Sequence, residues 1–380
     1  MKAIVLGGGL IGGVIAKDLA RDRELRVTVV DINEKRLNKL ADEAKISGIV
    51  ADLSDSEVIR KLVADQDIVV VAVPAFALGT NALRSVIKAG KNMVSVSSSI
   101  DNDYSSLNAM AKKNGVTAVV PMGITPGMSG MIIGYVGSLL DETESVLILC
   151  GGLPVIRELP FEYKISWSPM DSIGLYVEPV KQREYGEIVE KPALSEVELV
   201  DLPGVGTLEA FNTIGLDSLI STINAPFIKE KTLRYPGFAE QMRLFRETGF
   251  FSDKPIELGG VKIKPIDFTA KLLFPKWELK EGEKELTVMR VVIQGKKDQK
   301  KLQYTYDLLT YFDDETKTTS MGRTTGFPCA IVARLVAQGE YTGKGICPPE
   351  LLGKEHKVYR RVMKELEERG IFFKESIVEL

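Results

Sequence analysis

The chain has 380 residues, with 49 lysines and arginines against 52 aspartates and glutamates. That length accommodates about two domains, and a net charge of −3 with no basic face excludes nucleic acid as an expected partner. The longest apolar run, 68–79, is too short to span a bilayer, so no membrane partner is expected. Cys150, Cys329 and Cys347 show no C-x-x-C spacing, so neither a zinc site nor a disulfide framework is indicated and no metal is expected. The first residues enter a strand at once, with no targeting segment, and a reducing cytoplasm is the expected location.

Residues 1–31 follow the order strand, glycine turn, helix, strand, acid. Lys2-Ala3-Ile4-Val5-Leu6 leads into Gly7-Gly8-Gly9-Leu10-Ile11-Gly12, a G-x-G-x-x-G pattern with a separate reason at each glycine. Gly7 makes the tight turn, Gly9 admits a pyrophosphate to the backbone, and Gly12 lets the helix lie close to the strand. The pyrophosphate would sit at the N-terminus of a helix starting near Leu10 and Ile11, where free N–H groups face an anion. A glycine loop alone often only turns a strand into a helix. Here Arg26-Val27-Thr28-Val29-Val30 ends on Asp31, about 20 residues further on, as a dinucleotide fingerprint requires. Asp31 would accept the ribose hydroxyls and repel a 2′-phosphate, so NAD is preferred. Lys35 and Arg36 leave NADP open, although both read more readily as solvated residues of the next helix.

The first third continues to alternate. Strands are expected at 47–51, 67–73, 92–96 and 116–121, with helices at 34–43 and 81–89. This is the pattern of a doubly wound parallel Rossmann sheet in an α/β protein. Asp52 either contacts the adenine or serves as a turn or N-cap aspartate. The fourth strand ends at Val73 and Pro74, which should face the cofactor crevice, and Ser97 and Thr125 follow later strands near the nicotinamide position.

Past Gly127 the texture becomes β-rich. Segments 145–150, 163–167, 286–294 and 303–312 read as strands of a mixed or antiparallel sheet in a second α+β domain, separated by charged loops at 276–285 and 295–301. Residues 329–337 return to helix. The expected division is a dinucleotide-binding domain at 1–125 completed by 326–350, a substrate-binding and dimerisation domain at 126–325, and a helical tail at 351–380. The single histidine, His356, lies in a charged helix and reads as a surface residue, so a proton would move through Lys, Glu, Asp, Tyr or water. Arg234, before Tyr235-Pro236-Gly237, either grips a substrate carboxylate or pairs with a structural acid. Glu209, in the apolar run 208–211, is either buried against an arginine or poised for an ammonium. Tyr163 and Lys164 are pocket candidates or ordinary sheet residues, and 321–326 reads as a polar turn with Thr324 or Thr325 capping the return helix.

Together these segments resemble the saccharopine dehydrogenase-like superfamily, and within it the lysine 6-dehydrogenase branch. The resemblance rests on Gly7–Gly12, on Gly123-Ile124-Thr125-Pro126-Gly127-Met128 and Gly151-Gly152-Leu153-Pro154, and on the runs at 163–169, 194–197, 208–211, 232–237 and 348–350. It implies oxidative deamination of an amino acid, lysine at its ε-amine, with NAD as acceptor and a homodimer formed through the second domain's sheet. In that reading Arg234 holds the carboxylate, Glu209 orients an ammonium or supports proton transfer, and Tyr163, Lys164 and Thr125 complete the catalytic set. Phe238, Pro121 and Ser95 stand where lysine enzymes tend to carry a histidine and two aspartates. Reductive amine coupling of the saccharopine or carboxynorspermidine type, and a non-catalytic NAD-binding protein, are the two rival readings.

Overall fold

The computed structural model describes residues 1–98, 104–216 and 218–380. Its first elements are β1 (Lys2–Leu6), α1 (Leu10–Leu19), β2 (Arg26–Asp31), α2 (Glu34–Glu43), β3 (Ile46–Val50) and α3 (Ser56–Val63). β4 (Ile68–Val71), a π-helical turn (Ala75–Gly79), α4 (Thr80–Lys88), β5 (Met93–Ser95), α5 (Tyr104–Lys113), β6 (Thr117–Val119) and α6 (Met128–Gly137) follow. Next come β7 (Glu142–Pro154), α7 (Pro169–Val177), β8 (Val180–Glu184), β9 (Glu187–Lys191), β10 (Glu198–Leu202), β11 (Gly206–Asn212) and α8 (Leu219–Thr222). The chain proceeds through β12 (Phe227–Arg234), α9 (Phe238–Glu247), β13 (Ile256–Leu258), β14 (Val261–Ile263), α10 (Pro265–Trp277), β15 (Glu285–Lys297) and β16 (Lys300–Tyr311). It closes with α11 (Ser320–Ala337), β17 (Gly345–Cys347), α12 (Pro349–Lys354), α13 (His356–Glu367) and β18 (Lys374–Glu379).

Two compact units result. The first comprises 1–139 and 322–372, the second 140–321 and 373–380. In the first, seven parallel strands run β17-β6-β5-β4-β1-β2-β3. β1 and β4 are apolar and almost fully buried, as strands covered by helices on both faces must be. Strand order reverses between β1 and β4, and the crevice beyond their C-terminal ends is where an open α/β sheet receives a ligand. The second unit holds a mixed sheet, β10-β11-β12-β7-β15-β16-β18, with β8 and β9 added beside β12. Its β7–β12 pair is parallel and its other pairs are antiparallel. One aromatic cluster in this unit joins Tyr163, Tyr176, Phe211, Phe238 and Trp277 under α7, α9 and α10.

Several boundaries differ from the sequence reading, each for a packing reason. The first unit runs to 139 rather than 125 because α6 belongs to it. A Cβ on Gly134 would overlap the Glu350 carbonyl, and one on Gly353 would overlap that of Met131, so α6 and α12 meet backbone to backbone. Residues 163–167 form no strand. Tyr163 to Ser166 are buried in succession, without the alternation of a half-covered strand, and only Ile165 makes a bridge, to Glu278. The loop expected at 295–301 is mostly ladder, closed by Asp298 and Gln299 at positive φ, the left-handed pair that a two-residue hairpin turn needs. The turn expected at 321–326 is already helix, since α11 starts at Ser320, where the Glu285 carboxylate accepts from the Ser320 hydroxyl and the Met321 amide. Thr324 and Thr325 therefore lie inside the helix and do not cap it. The tail is not wholly helical: β18 extends the second sheet beside β16, while Val358, Tyr359, Val362 and Leu366 bury one face of α13.

Within the first unit the dinucleotide helix is anchored at its far end. Asp18 of α1 is fully buried and accepts from Arg334 Nη1 at 2.7 Å and Arg369 Nε at 2.8 Å. Burial works to raise this carboxyl, but the hydrogen bond and charge of Arg369 and those of Arg334 outweigh it and hold it below its ordinary value. A folded-state value below the unfolded one stabilises the fold above the unfolded value, about 3.9, and that stability is lost as pH falls through the folded value. Asp18→Asn leaves the buried Arg334 guanidinium without its near acid and Arg369 with Glu365 alone. It is expected to lower unfolding free energy by about 3–5 kcal/mol at pH 7, read by urea denaturation. Its acid-induced loss below about pH 4 should be shallower than the parent's; parallel acid profiles would show that Asp18 carries no linked charge.

Candidate functional site

The C-terminal edge of the parallel sheet gathers the residues expected at the cofactor. Gly7 has φ 101°, and a Cβ there would overlap the Ala72 carbonyl at the end of β4; one on Gly12 would overlap the Gly7 carbonyl. Gly9 is the N-cap of α1, and a Cβ on it would meet nothing within 4 Å, so its open side is free for a ligand. Leu10 and Ile11 supply the first free amides of α1. Val73 is buried and Pro74 exposed. Ser97 donates to the Val73 carbonyl from a buried position, and Ser95 knits the same turn through a 2.8 Å bond to the Ser97 carbonyl. Thr125 lies in the turn after β6, where Ser129 Oγ donates to its hydroxyl at 3.0 Å. A cradle of this shape fits a pyrophosphate at a helix N-terminus.

Asp31 ties this edge together. Its Oδ2 accepts from the Gly8 amide at 2.8 Å and its Oδ1 from the Asn33 amide at 2.8 Å. Arg36 Nη1 stands 3.1 Å from Oδ2 and 3.3 Å from Oδ1, so Arg36 is no mere solvated residue: α2 begins at Glu34 and brings it back over the acid. Lys35 makes no such contact among the described residues. Asp52 is a turn aspartate, accepting from the Ser54 amide at 2.9 Å, and Asp55 caps α3. Sequence reasoning missed the exposed apolar side chains here. Ile32, 73% exposed after β2, together with Val50 and Phe76, offers apolar surface at the edge where a planar base would lie. The π-helical turn at Ala75–Gly79, a geometry frequent at functional sites, was likewise unreadable from composition.

The other candidates lie in the second unit. Glu209 on β11 faces Arg234 on β12 in register, yet the two do not form an ion pair. Both Glu209 oxygens are taken by α9: the Gly237 amide donates at 2.8 Å and the Ala239 amide also donates. A carboxylate there complements the helix N-terminus, so Glu209 holds the Arg234–Phe238 turn and is not free for an ammonium. Lys164 is likewise committed, to Glu283 at 2.8 Å and the Glu278 carbonyl at 3.3 Å. Arg234 and Tyr163 do come together. The guanidinium stands 4.6 Å from the Tyr163 ring centroid and 5.7 Å from that of Phe238.

Arg234 is 4% exposed, and no carboxylate among the described residues pairs with it. Nη1 donates to the Leu233 carbonyl at 2.8 Å, Nη2 to the Tyr176 hydroxyl at 3.4 Å, and Nε has no partner. Burial opposes its charge, while the contacts with Tyr176 and Tyr163 push its value above the ordinary one without supplying a counter-ion. Burial also pushes the Tyr176 hydroxyl well above its ordinary range. Ser172, Tyr176, Phe238 and Trp277 complete this wall. Ser172 and Tyr176 carried a readable signal, an i, i+4 polar pair on a helix whose one charged residue is Asp171 in its first turn. Phe238 stacks in this wall where the resemblance would put a histidine. His356 lies at the start of α13 in the first unit, with Nε2 2.8 Å from Ser138 Oγ.

Residues 3–119 match the saccharopine dehydrogenase NADP binding domain and residues 123–371 the saccharopine dehydrogenase C-terminal domain. The chain belongs to the saccharopine dehydrogenase family. It is 24% identical over 98% of its length to alpha-aminoadipic semialdehyde synthase of Mus musculus, whose length it spans by about half, 47%. It is 23% identical to the NADP-dependent, L-glutamate-forming saccharopine dehydrogenase of Saccharomyces cerevisiae, over 99% of both chains. The solved apo structure of that yeast enzyme superposes with a TM-score of 0.81 over 99% of both chains at 21% identity, which shows a shared fold. No helix among the described residues is long and apolar enough to cross a membrane.

Glu209→Ala would strand the part-buried Gly237 amide and the buried Ala239 amide at the start of α9. It is expected to lower unfolding free energy by about 1–3 kcal/mol in urea denaturation. Unaltered stability would mean that the carboxylate does not hold this turn.

Proposed function

We propose that the chain is an NAD(P)-dependent amino-acid dehydrogenase that oxidises the ε-amine of lysine. The observation that carries this reading is the acidless Arg234. A buried guanidinium without a counter-ion costs several kcal/mol, and a substrate carboxylate, accepting from the unpaired Nε, would remove that cost. Other cations of the same unit speak for a substrate with few carboxylates. Lys164, Lys231 and Arg243 are already paired with Glu283, Glu198 and Glu240, which favours lysine over the more heavily carboxylated saccharopine.

Bound NAD(P)⁺ supplies a hydride acceptor. The chain's part is to bind the carboxylate through Arg234 and to shape the apolar wall with Tyr163 and Phe238. Loss of hydride from the carbon bearing the neutral amine leaves an iminium; water adds to it, and ammonia leaves as the aldehyde forms. The ε-ammonium must first lose a proton, and because Glu209 and Lys164 are engaged elsewhere, water is the acceptor in this reading. The aldehyde then closes on the α-amine to a piperideine carboxylate with loss of water.

The same reading gives Asp31 and Arg36 opposite preferences at the adenosine ribose. With NAD, the acid receives the hydroxyls; with NADP, Arg36 turns from Asp31 to the 2′-phosphate, as a half-exposed guanidinium can. Both nucleotides are therefore expected to serve.

Two measurements follow from this. Protein supplied with lysine and NAD⁺ or NADP⁺ is expected to form reduced nucleotide and ammonia in equal amounts. Arg234→Met should raise KM for lysine at least about tenfold, the equivalent of about 1.4 kcal/mol, and turnover with saccharopine but not lysine would overturn the assignment. For Arg36→Ser, kcat/KM with NADP⁺ should fall about tenfold while that with NAD⁺ holds within about threefold. Equal losses with both would remove Arg36 from cofactor choice.

A further inference from the structure

A groove of about 880 Å³ lies in the first unit at the N-terminal edge of the parallel sheet, the edge opposite the glycine turn. Its walls are formed by the starts of β1, β2 and β3 and by the ends of α1 and α2. Six cations line it, Lys2, Lys17, Arg21, Arg23, Arg26 and Lys45, against two acids, Asp22 and Glu43. In a chain of net charge −3 this is a strong local excess of positive charge.

Internal pairing accounts for only half of these cations. Lys2 meets Asp65, Lys17 meets Glu43, and Arg21 stands 3.9 Å from Asp18. Arg23, Arg26 and Lys45 have no acidic partner among the described residues, and Arg23, Arg26 and Lys45 are all exposed. Lys2 and Arg26 are also direct partners across the β1–β2 pair, an arrangement of like charges that works against the sheet. The helix ends explain part of the pattern. Ala20 and Ala44, the C-caps of α1 and α2, both line the groove, and cations complement helix C-termini. Each terminus amounts to roughly half a negative charge, so two of them offset about one of the four surplus positive charges.

We propose that this groove binds a short polyphosphate chain, the chemistry shared by inorganic tripolyphosphate and nucleoside triphosphates. A chain of phosphates supplies closely spaced negative charges to match Arg23, Arg26 and Lys45, and two of these cations are forked guanidiniums suited to phosphate oxygens. The volume suits a ligand larger than one phosphate, within the range of small-molecule sites. Thr28 and Ser47 add hydroxyl donors on the same wall.

The full chain is titrated calorimetrically with tripolyphosphate and separately with ATP, in 0.15 M salt with NADP⁺ saturating so that the glycine turn is filled. One saturable event per chain is expected, weakened at least tenfold in Arg23→Ser/Arg26→Ser/Lys45→Ser. Equal affinity for the two ligands identifies the bare phosphate chain as what is read, and tighter binding of ATP identifies a nucleotide as the source. If the triple variant does not fold, the single Arg23→Glu variant, on an exposed loop, should still weaken binding several-fold. No saturable event, an affinity unchanged in the variants, or binding of duplex DNA in place of tripolyphosphate would overturn the proposal.

Discussion

The first unit depends on backbone crowding where β1 meets the end of β4. Neither Gly7 nor Gly12 can carry a Cβ, because the carbonyls of Ala72 and Gly7 occupy that space. This crowding fixes how close α1 starts to the sheet, and hence where its free amides point. Asp31 then fastens the turn through the Gly8 amide, while Asp18 fastens the other end of α1 between Arg334 and Arg369. The helix that would face a pyrophosphate is thus held at both ends by carboxylates, one at the cofactor edge and one in the core. Because both acids pair with arginines, the cofactor edge inherits a guanidinium, Arg36, as a direct consequence of how the turn is held.

The glycine turn, β1, β2 and α2 were legible from sequence because their signals are local: short apolar strands, a helical period and a terminal acid. What could not be read was decided by distant contacts. The assignment of α6 to the first unit rests on Gly134 and Gly353 meeting carbonyls more than 200 residues apart in the chain. Residues 163–167 have the composition of a strand, but Tyr163 packs against Phe238 and Trp277 and the run through Ser166 is buried without alternation, so no ladder forms. β18 reads as a charged tail because an edge strand with both faces exposed carries no hydrophobic alternation.

The site shows the same division. Arg234 and Tyr163 could be singled out by residue type, and they do converge. Glu209 and Lys164 drew attention for the same reason, yet their partners are backbone amides and a glutamate over a hundred residues away, invisible to any local pattern. Register alone would even have paired Glu209 with Arg234, since they are directly opposed on β11 and β12. The helix N-terminus at Gly237 decides otherwise, by offering the carboxylate two amides at once. That diversion is what leaves the arginine without an acid.

Arg234 and the groove cations Arg23, Arg26 and Lys45 have no acidic partner among the described residues, and the two cases carry different physical weight. Arg23, Arg26 and Lys45 are solvated, so water and salt screen them and their lack of partners costs the fold little. What makes them informative is their number and their crowding at one edge, where Lys2 and Arg26 stand abreast. Arg234 is a single residue, but it is removed from water, and among the described residues its partners are one carbonyl, one tyrosine hydroxyl and the faces of two rings. Cation–π contacts of this kind contribute about 2 kcal/mol when desolvated, less than the cost of burying the charge. A fold with Glu209 in register could have neutralised Arg234 internally, at the expense of the α9 turn. Keeping the turn leaves the charge open, and it is this open charge on which the proposed carboxylate site rests.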